Sequence, residues 1–397
     1  MKKNIHTHTR LFYLFVVVLV AIATSCSHED DIIPSGDDGN GARIVRTEHL
    51  ASSHMMAYHF TYPSTDPYGN PTTLSGTITM SDDLHEGDLA EGLMLYNHFT
   101  IYRADQCPSN GGLSEQALIV GSRLITISPY YYGFGITEAQ PQAYCISSAN
   151  ARAAVDALIE GRKLLEQMGF RWKDNLFNAG YSQGGQTTVA VLREVSQHHP
   201  DIHFTCSFAG GGSYDLPATY HRFVVIDRSA MPSTVASVML SYNHFKGLNI
   251  PREKMFVEPL LSHIDQWILS KLYTRAEIDS LVGTNDISAF VNSDMMDFNT
   301  PYAQQLLEAL DSDNLCKGWT PRSDEHLILV HHTLDGAVPA ENTSNLAAFM
   351  QQQGVQNVEV VMDDFGSYFG MPAHETGAMI FVNTTKEWIS QHLGISW

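Results

Sequence analysis

One serine in this chain sits where a hydroxyl could become a nucleophile: Gly180-Tyr181-Ser182-Gln183-Gly184-Gly185. Unaided, a serine hydroxyl is a poor nucleophile at neutral pH. An imidazole that takes its proton activates it, and a carboxylate fixes that imidazole's tautomer and stabilises the imidazolium. Glycines on both sides of the serine allow a sharp backbone turn, and G-x-S-x-G between a strand and a helix is a nucleophile elbow. The hydroxyl then lies beside a helix N-terminus, whose free N–H groups favour developing negative charge. The chain has 19 histidines, so the type alone does not single out a base. His331-His332 and His198-His199 could suggest metal ligands. Adjacent strand residues face opposite ways, which argues against chelation by the first pair, and solvated or packed histidines are the expectation for both. No cysteine pair has zinc-type C-x-x-C spacing, so no metal is expected, and a serine nucleophile activated by an imidazole needs no cofactor.

The elements around this motif alternate. From Arg43 to Met80 the pattern is β, with Met56–Tyr62 and Leu74–Met80 flanking the turn Asp66-Pro67-Tyr68-Gly69-Asn70-Pro71, which reads as a hairpin. Strands follow at Gly92–Tyr96, Arg123–Ile127, Leu176–Ala179, His203–Ala209, Leu327–Val330 and Val358–Met362. Between and after them lie helical patterns at Ser147–Met168, Thr187–Gln197, Glu341–Gln353 and Thr376–Leu393, the first with Ser147 or Ser148 placed to cap it. Strands alternating with helices imply a mostly parallel sheet covered on both faces. Over a hundred residues separate the strand ending near Ala209 from the one starting near Leu327. Their helical stretches (Pro259–Tyr273, Arg275–Val282 and Ala303–Leu310) most simply form a cap over the sheet's mouth.

With its elbow in this setting, the chain resembles the α/β-hydrolase superfamily, and within it the secretory lipases and related bacterial esterases. The resemblance covers most of residues 55–395, the inserted region matching only in position and helical character. It implies the order serine, acid, histidine, with the acid after one late strand and the histidine after the last. His331-His332-Thr333-Leu334-Asp335-Gly336-Ala337-Val338-Pro339 is similar to the family's H-G-x-x-D-x-x-V-P, and Pro372-Ala373-His374-Glu375 opens the final helix. Asp335 and His374 are therefore expected to complete the site with Ser182, with Asp363 and Asp364 as rival acids. Glu375 is expected to favour the start of that helix through its charge. Two backbone N–H groups should stabilise an oxyanion: that of Gln183, and one from Tyr96-Asn97-His98-Phe99-Thr100, where relatives carry H-G-T. Phe99 replaces the glycine, leaving open whether Phe99 or Thr100 donates. Pro129-Tyr130-Tyr131-Tyr132-Gly133-Phe134-Gly135 resembles the family's D-Y-x-G-x-G loop, and its tyrosines either line the mouth or pack under the cap.

The first 25 residues read as an export signal. Lys2, Lys3 and Arg10 precede the apolar run Leu11–Thr24, which is too short to span a membrane. Ala23-Thr24-Ser25-Cys26 resembles a bacterial lipobox with Ala23 in place of the usual leucine, making Cys26 the expected lipid attachment site. Ala23 and Ser25 would equally suit simple signal cleavage. The acidic run after Cys26 resembles the tag of surface-exposed lipoproteins of Bacteroidetes-like bacteria. Residues 26–42, rich in Gly, Asp, Ser and Pro, read as a flexible tether. The remaining Cys107, Cys145, Cys206 and Cys316 permit two disulfides in any of three connectivities.

Across 397 residues the composition is globular, 44% hydrophobic and 17% charged, with a net charge of −20. Such acidity argues against nucleic acid as a partner and against attraction to anionic membranes, leaving a lipid anchor as the one membrane contact. The expected architecture is an α/β-hydrolase catalytic domain at 43–213 and 323–397 with a helical cap at 214–322. The expected activity is ester hydrolysis through an acyl-enzyme on Ser182, acting on small-molecule or carbohydrate-linked esters, by an outer-membrane lipoprotein exposed at the cell surface. Two other readings stand beside it. One is an exopeptidase of the prolyl-oligopeptidase type, which usually carries a large propeller before the catalytic domain, where fewer than 60 residues precede the hairpin here. The other is a surface glycan-binding lipoprotein with a silent hydrolase fold.

Overall fold

The computed structural model describes residues 29–30, 41–108 and 123–395. Cys26 and the proposed signal lie outside the described residues. A ten-stranded sheet, ordered β1-β2-β3-β4-β7-β6-β9-β10-β11-β12, runs through the molecule. Its antiparallel half comprises β1 (Glu29–Asp30), β2 (Arg43–Leu50), β3 (Met55–Thr65) and β4 (Pro71–Ser81). The other half is parallel: β6 (Gly92–Asn97), β7 (Leu124–Pro129), β9 (Leu176–Tyr181), β10 (Cys206–Gly210), β11 (His326–His332) and β12 (Asn357–Asp363). A separate two-stranded ribbon pairs β5 (Leu89–Ala90) with β8 (Arg171–Trp172).

Side chains alternate across the parallel strands, so each strand feeds two cores. Leu93 and Leu95 of β6 pack on one face with Val155 and Leu158 of α1 (Ser147–Gln167), Val189 and Leu192 of α2 (Gln183–His198), and Leu346 of the later helix Glu341–Gln352. Met94 and Tyr96 face the other way, into a cluster with Phe177, Phe208, Val330 and Phe381. Burial on both faces explains the near-continuous apolar runs of β6, β7, β9, β10 and β11, whereas β12, at the end of the sheet, has no buried residue.

Between β10 and β11 the chain builds a helical region with its own core. Its principal helices are α3 (Leu216–Ile226), α4 (Pro232–Phe245), α5 (Arg275–Val282) and α6 (Pro301–Ser312). Tyr220, Met239, Ile278 and Leu310 cluster there with Tyr102 and Ala143–Ile146 of the underlying segments. Beyond it come α7 (Glu341–Gln352), after β11, and α8 (Ala373–Leu393), after β12.

Three expectations need correction. Ser147 does not cap α1: Ile146 occupies the N-cap position without a side-chain cap bond, and the Ser147 hydroxyl donates to the Asp313 carbonyl at 3.1 Å. Glu29–Asp30, read as tether, pair with Thr47 and Glu48, satisfying part of the open edge that a terminal strand presents. The cysteines do not form two disulfides, because Cys145, Cys206 and Cys316 are free thiols. Among the described residues no helix is long and apolar enough to cross a membrane.

Candidate active site

Ser182 occupies the junction between β9 and α2, with φ 57° and ψ −119°. That left-handed backbone costs a non-glycine residue of order 1–3 kcal/mol and persists only where its surroundings enforce it. Here the Ser182 N–H donates to the Gly210 carbonyl of β10 at 2.8 Å. A Cβ on Gly184 would lie 2.0 Å from the Asn97 carbonyl oxygen, and one on Gly185 2.3 Å from that of Gly210. The two glycines thus let the first turn of α2 press against the ends of β6 and β10.

His374 lies in the first turn of α8, 7% exposed. The Ser182 hydroxyl donates to His374 Nε2 at 2.9 Å, and His374 Nδ1 donates to Asp335 Oδ2 at 2.6 Å. Asp335, in the loop after β11, has a fully buried side chain. Its other oxygen, Oδ1, accepts the backbone N–H groups of Ala337 (2.8 Å) and Val338 (2.9 Å). Burial alone would raise the Asp335 pKa. The attraction and hydrogen bonds of His374 and His331 outweigh it and hold the carboxyl well below its usual range. For His374 burial acts downward, yet the Asp335 carboxylate prevails and its pKa is raised. The Tyr181 hydroxyl, donating to the His374 carbonyl at 2.7 Å, ties the start of α8 to the strand before the elbow. In this arrangement the imidazole can accept the hydroxyl proton while the carboxylate steadies the resulting cation.

No protein-family profile matches the chain, and no curated protein matches it. Solved structures do. The rice cell wall degrading esterase LipA from Xanthomonas oryzae aligns with a TM-score of 0.73 at 20% identity, over 85% of this chain and 91% of its own. A putative hydrolase from Legionella pneumophila gives 0.72 at 21% identity, over 84% and 88%. Candida antarctica lipase A in its closed state gives 0.62 at 12% identity, over 92% and 84%. The fold is that of the α/β-hydrolases.

Within this α/β-hydrolase fold the two rival acids lie elsewhere. The nearest ion-pair partner of Asp364 is His332, at 3.9 Å, and the Asp363 side chain accepts the N–H of Asp364. Gln183 follows Ser182 as the first residue of α2, so its N–H has no helical acceptor. The loop with Phe99 and Thr100 leaves β6 beside the elbow. His98 is buried there, its Nδ1 donating to the Phe99 carbonyl at 2.7 Å and its ring against Tyr131 at 4.2 Å between centroids. Phe99 is 38% exposed, and Thr100 Oγ1 bonds the Tyr144 hydroxyl at 2.9 Å.

A narrow cavity of about 60 Å³ opens at Ser182 and Gln183, walled by Tyr144 and Val338 and, from the inserted helices, by Leu216, Tyr220 and Val235. Of the alternatives for the tyrosine loop, packing holds for Tyr130 and Tyr131, each 1% exposed. Tyr130 bonds His59 and Thr77, and Tyr132 lies edge-on to Phe245. None of the three lines the cavity; Tyr144 does, a residue that no sequence signal singled out. Among the described residues no cluster could hold a metal ion. His331 instead bonds Thr343 and the Val338 carbonyl, and His332 the Gly366 carbonyl.

Proposed function

We propose that the chain is a serine hydrolase cleaving carboxylic esters through an acyl-enzyme on Ser182. The observation that carries this reading is the continuous hydrogen-bonded series Asp335–His374–Ser182 ending at a strained serine on a cavity. His374 takes the hydroxyl proton as Ser182 Oγ attacks the ester carbonyl. The oxyanion forms against the Gln183 N–H and an N–H of Phe99 or Thr100. The alcohol leaves with the proton held by His374, and a water activated by the same imidazole then releases the acid. In this reading residues 43–213 and 323–397 form the catalytic unit and 214–322 its cap. Solved structures of like fold include an esterase and a lipase, which favours esters over peptides.

The test is a fluorophosphonate probe with a substrate panel. Wild type should label at Ser182 and Ser182→Ala should not. Labelling of the alanine variant, or of neither, overturns the reading. Short-to-medium acyl or carbohydrate-linked esters should turn over faster than dispersed palmitoyl esters. Fastest turnover on an aminoacyl-anilide would make the protein a peptidase. Folded protein without label or turnover would leave a binding role on a silent hydrolase fold.

For localisation we propose export as a lipoprotein, on the strength of the residue 1–26 pattern. Mass spectrometry of the mature protein should find Cys26 first and acylated. A free Cys26 thiol at the N-terminus would mean simple secretion.

A further inference from the structure

A second, larger cavity adjoins the one at Ser182. It measures about 620 Å³, and its lining includes Pro141, Gln142 and Leu272. Two elements serve both cavities, the segment before α1 and the helix α4. In the segment, Gln142 lines the larger cavity and Cys145 the smaller, while Tyr144 belongs to both, alone among the described lining residues. Along α4, Thr234, Val235 and Val238 line the smaller cavity and Ser237, Leu240 and Ser241 the larger, so adjacent faces of one helix serve the two. Contacts tie these walls together. The Tyr144 hydroxyl bonds Thr100 Oγ1 at 2.9 Å, and its ring lies 5.9 Å from that of Tyr102. The Tyr102 hydroxyl in turn donates to Ser237 Oγ of α4 at 2.8 Å.

We propose that Tyr144 is the partition that sets how long an acyl chain the site accepts, keeping a chain on Ser182 out of the larger cavity. The proposal rests on the acyl-transfer reading of Ser182. The acyl group stays on the serine through the second step, whereas the alcohol departs after the first. An apolar cavity at the serine, with Leu216, Val235 and Leu310 in its wall, therefore suits the acyl chain. At about 60 Å³ it suits a short one, and the space beyond Tyr144 is about ten times larger. That space offers Leu240, Ile268 and Leu272 to a longer chain. Each further methylene buried there is worth about fourfold in binding.

The experiment measures kcat/KM for p-nitrophenyl butyrate and p-nitrophenyl octanoate, whose leaving group is identical, with both esters in true solution. Wild type should favour butyrate. Tyr144→Ala, and the milder Tyr144→Leu, should raise the octanoate-to-butyrate ratio by about tenfold or more. Tyr144→Phe, which keeps the ring and loses the Thr100 bond, should keep the wild-type ratio. Adding Leu240→Trp to either small variant refills the larger cavity and should reverse the gain. Circular dichroism verifies folding, and a ratio taken within each variant cancels any common loss of activity. A wild type that already favours octanoate overturns the proposal, as do folded small variants that keep the wild-type ratio. So does a gain that Tyr144→Phe reproduces or that survives Leu240→Trp. Fluorophosphonate labelling separates this proposal from the reading beneath it. A labelled Ser182 with an unchanged ratio refutes the partition alone, whereas no label and no turnover refute acyl transfer first.

Discussion

The orientation of one carboxylate decides whether His374 can act as a base. Asp335 Oδ1 receives two backbone N–H groups and Oδ2 faces His374 Nδ1. In Asp335→Asn the two N–H donors hold the amide oxygen on their side, so the NH₂ must face His374. The imidazole then carries its proton on Nε2, toward Ser182, and cannot accept another. Turnover should fall about 10⁴-fold with the fold intact, as expected for a wrong tautomer; kcat from a burst-corrected assay checks it. His374→Ala should lose activity by orders of magnitude while remaining folded. The raised His374 pKa has two signs to work out. In its proposed role as base His374 acts when neutral, so the acid limb of kcat/KM should have its midpoint above the ordinary imidazole value of about 6.5. For stability, the raised His374 pKa contributes fully below about 6.5 and is lost as pH rises through its folded value. The depressed Asp335 pKa contributes above about 3.9 and is lost as pH falls. Thermal midpoints of wild type relative to His374→Ala should therefore be most favourable between roughly pH 4 and 6.5.

At the scale of elements, the glycines that revealed the elbow in the sequence also hid the first turn of the helix after it. Helical periodicity marked α2 from Thr187, whereas the helix starts at Gln183. Gly184 and Gly185 are poor helix formers and stand there because carbonyl oxygens of Asn97 and Gly210 occupy the space a Cβ needs. Gly184→Ala should force β6 and α2 apart, costing about 1–3 kcal/mol or more and shifting the loop of Phe99 and Thr100. Loss of fluorophosphonate labelling with a lowered urea midpoint would show it. The hairpin, the parallel strands and the late helices were legible because their periodicities are clean. The inserted α3 and α4 were not. Their β-branched, aromatic and proline residues weaken helical preference, and apolar side chains such as Tyr220 and Met239 pack in a core of the insertion's own. Asp335 and His374 could be located by order along the chain. Tyr144 could not, because its place on the cavity depends on how the insertion docks. One docking contact reaches His374 electrostatically: Arg275 of α5 pairs with Glu375 at 3.2 Å. The Glu375 charge raises the His374 pKa and that of Arg275 lowers it. Arg275→Met should therefore move the acid limb to higher pH and Glu375→Gln to lower pH, both shifts shrinking with salt.

On the scale of the whole molecule, two cores meet over the site, one on the sheet and one in the insertion. Contacts between them include Tyr102 with Ser237 (2.8 Å), the Tyr242 hydroxyl with the Cys145 carbonyl (3.0 Å), and Lys271, whose ammonium donates to the carbonyls of Gly133, Glu138 and Gln140. With Cys145, Cys206 and Cys316 unpaired, packing and not cross-linking holds these parts together. Dithiothreitol should accordingly leave the thermal midpoint unchanged, a result that calorimetry with and without reductant can check. The strands flanking the insertion are immediate neighbours: Gly210 of β10 is in register with Val330 of β11, and the Gly211 N–H donates to the Val330 carbonyl at 2.9 Å. The long excursion closes on itself before it reaches β11: the Leu315 N–H donates to the Tyr214 carbonyl at 2.9 Å, so the helices between them depart and return at one point. For a lineage diversifying by gene rearrangement this is a socket. Loop-closure entropy grows only logarithmically with length, so segments of very different size could be exchanged there without altering the register that places Ser182, Asp335 and His374.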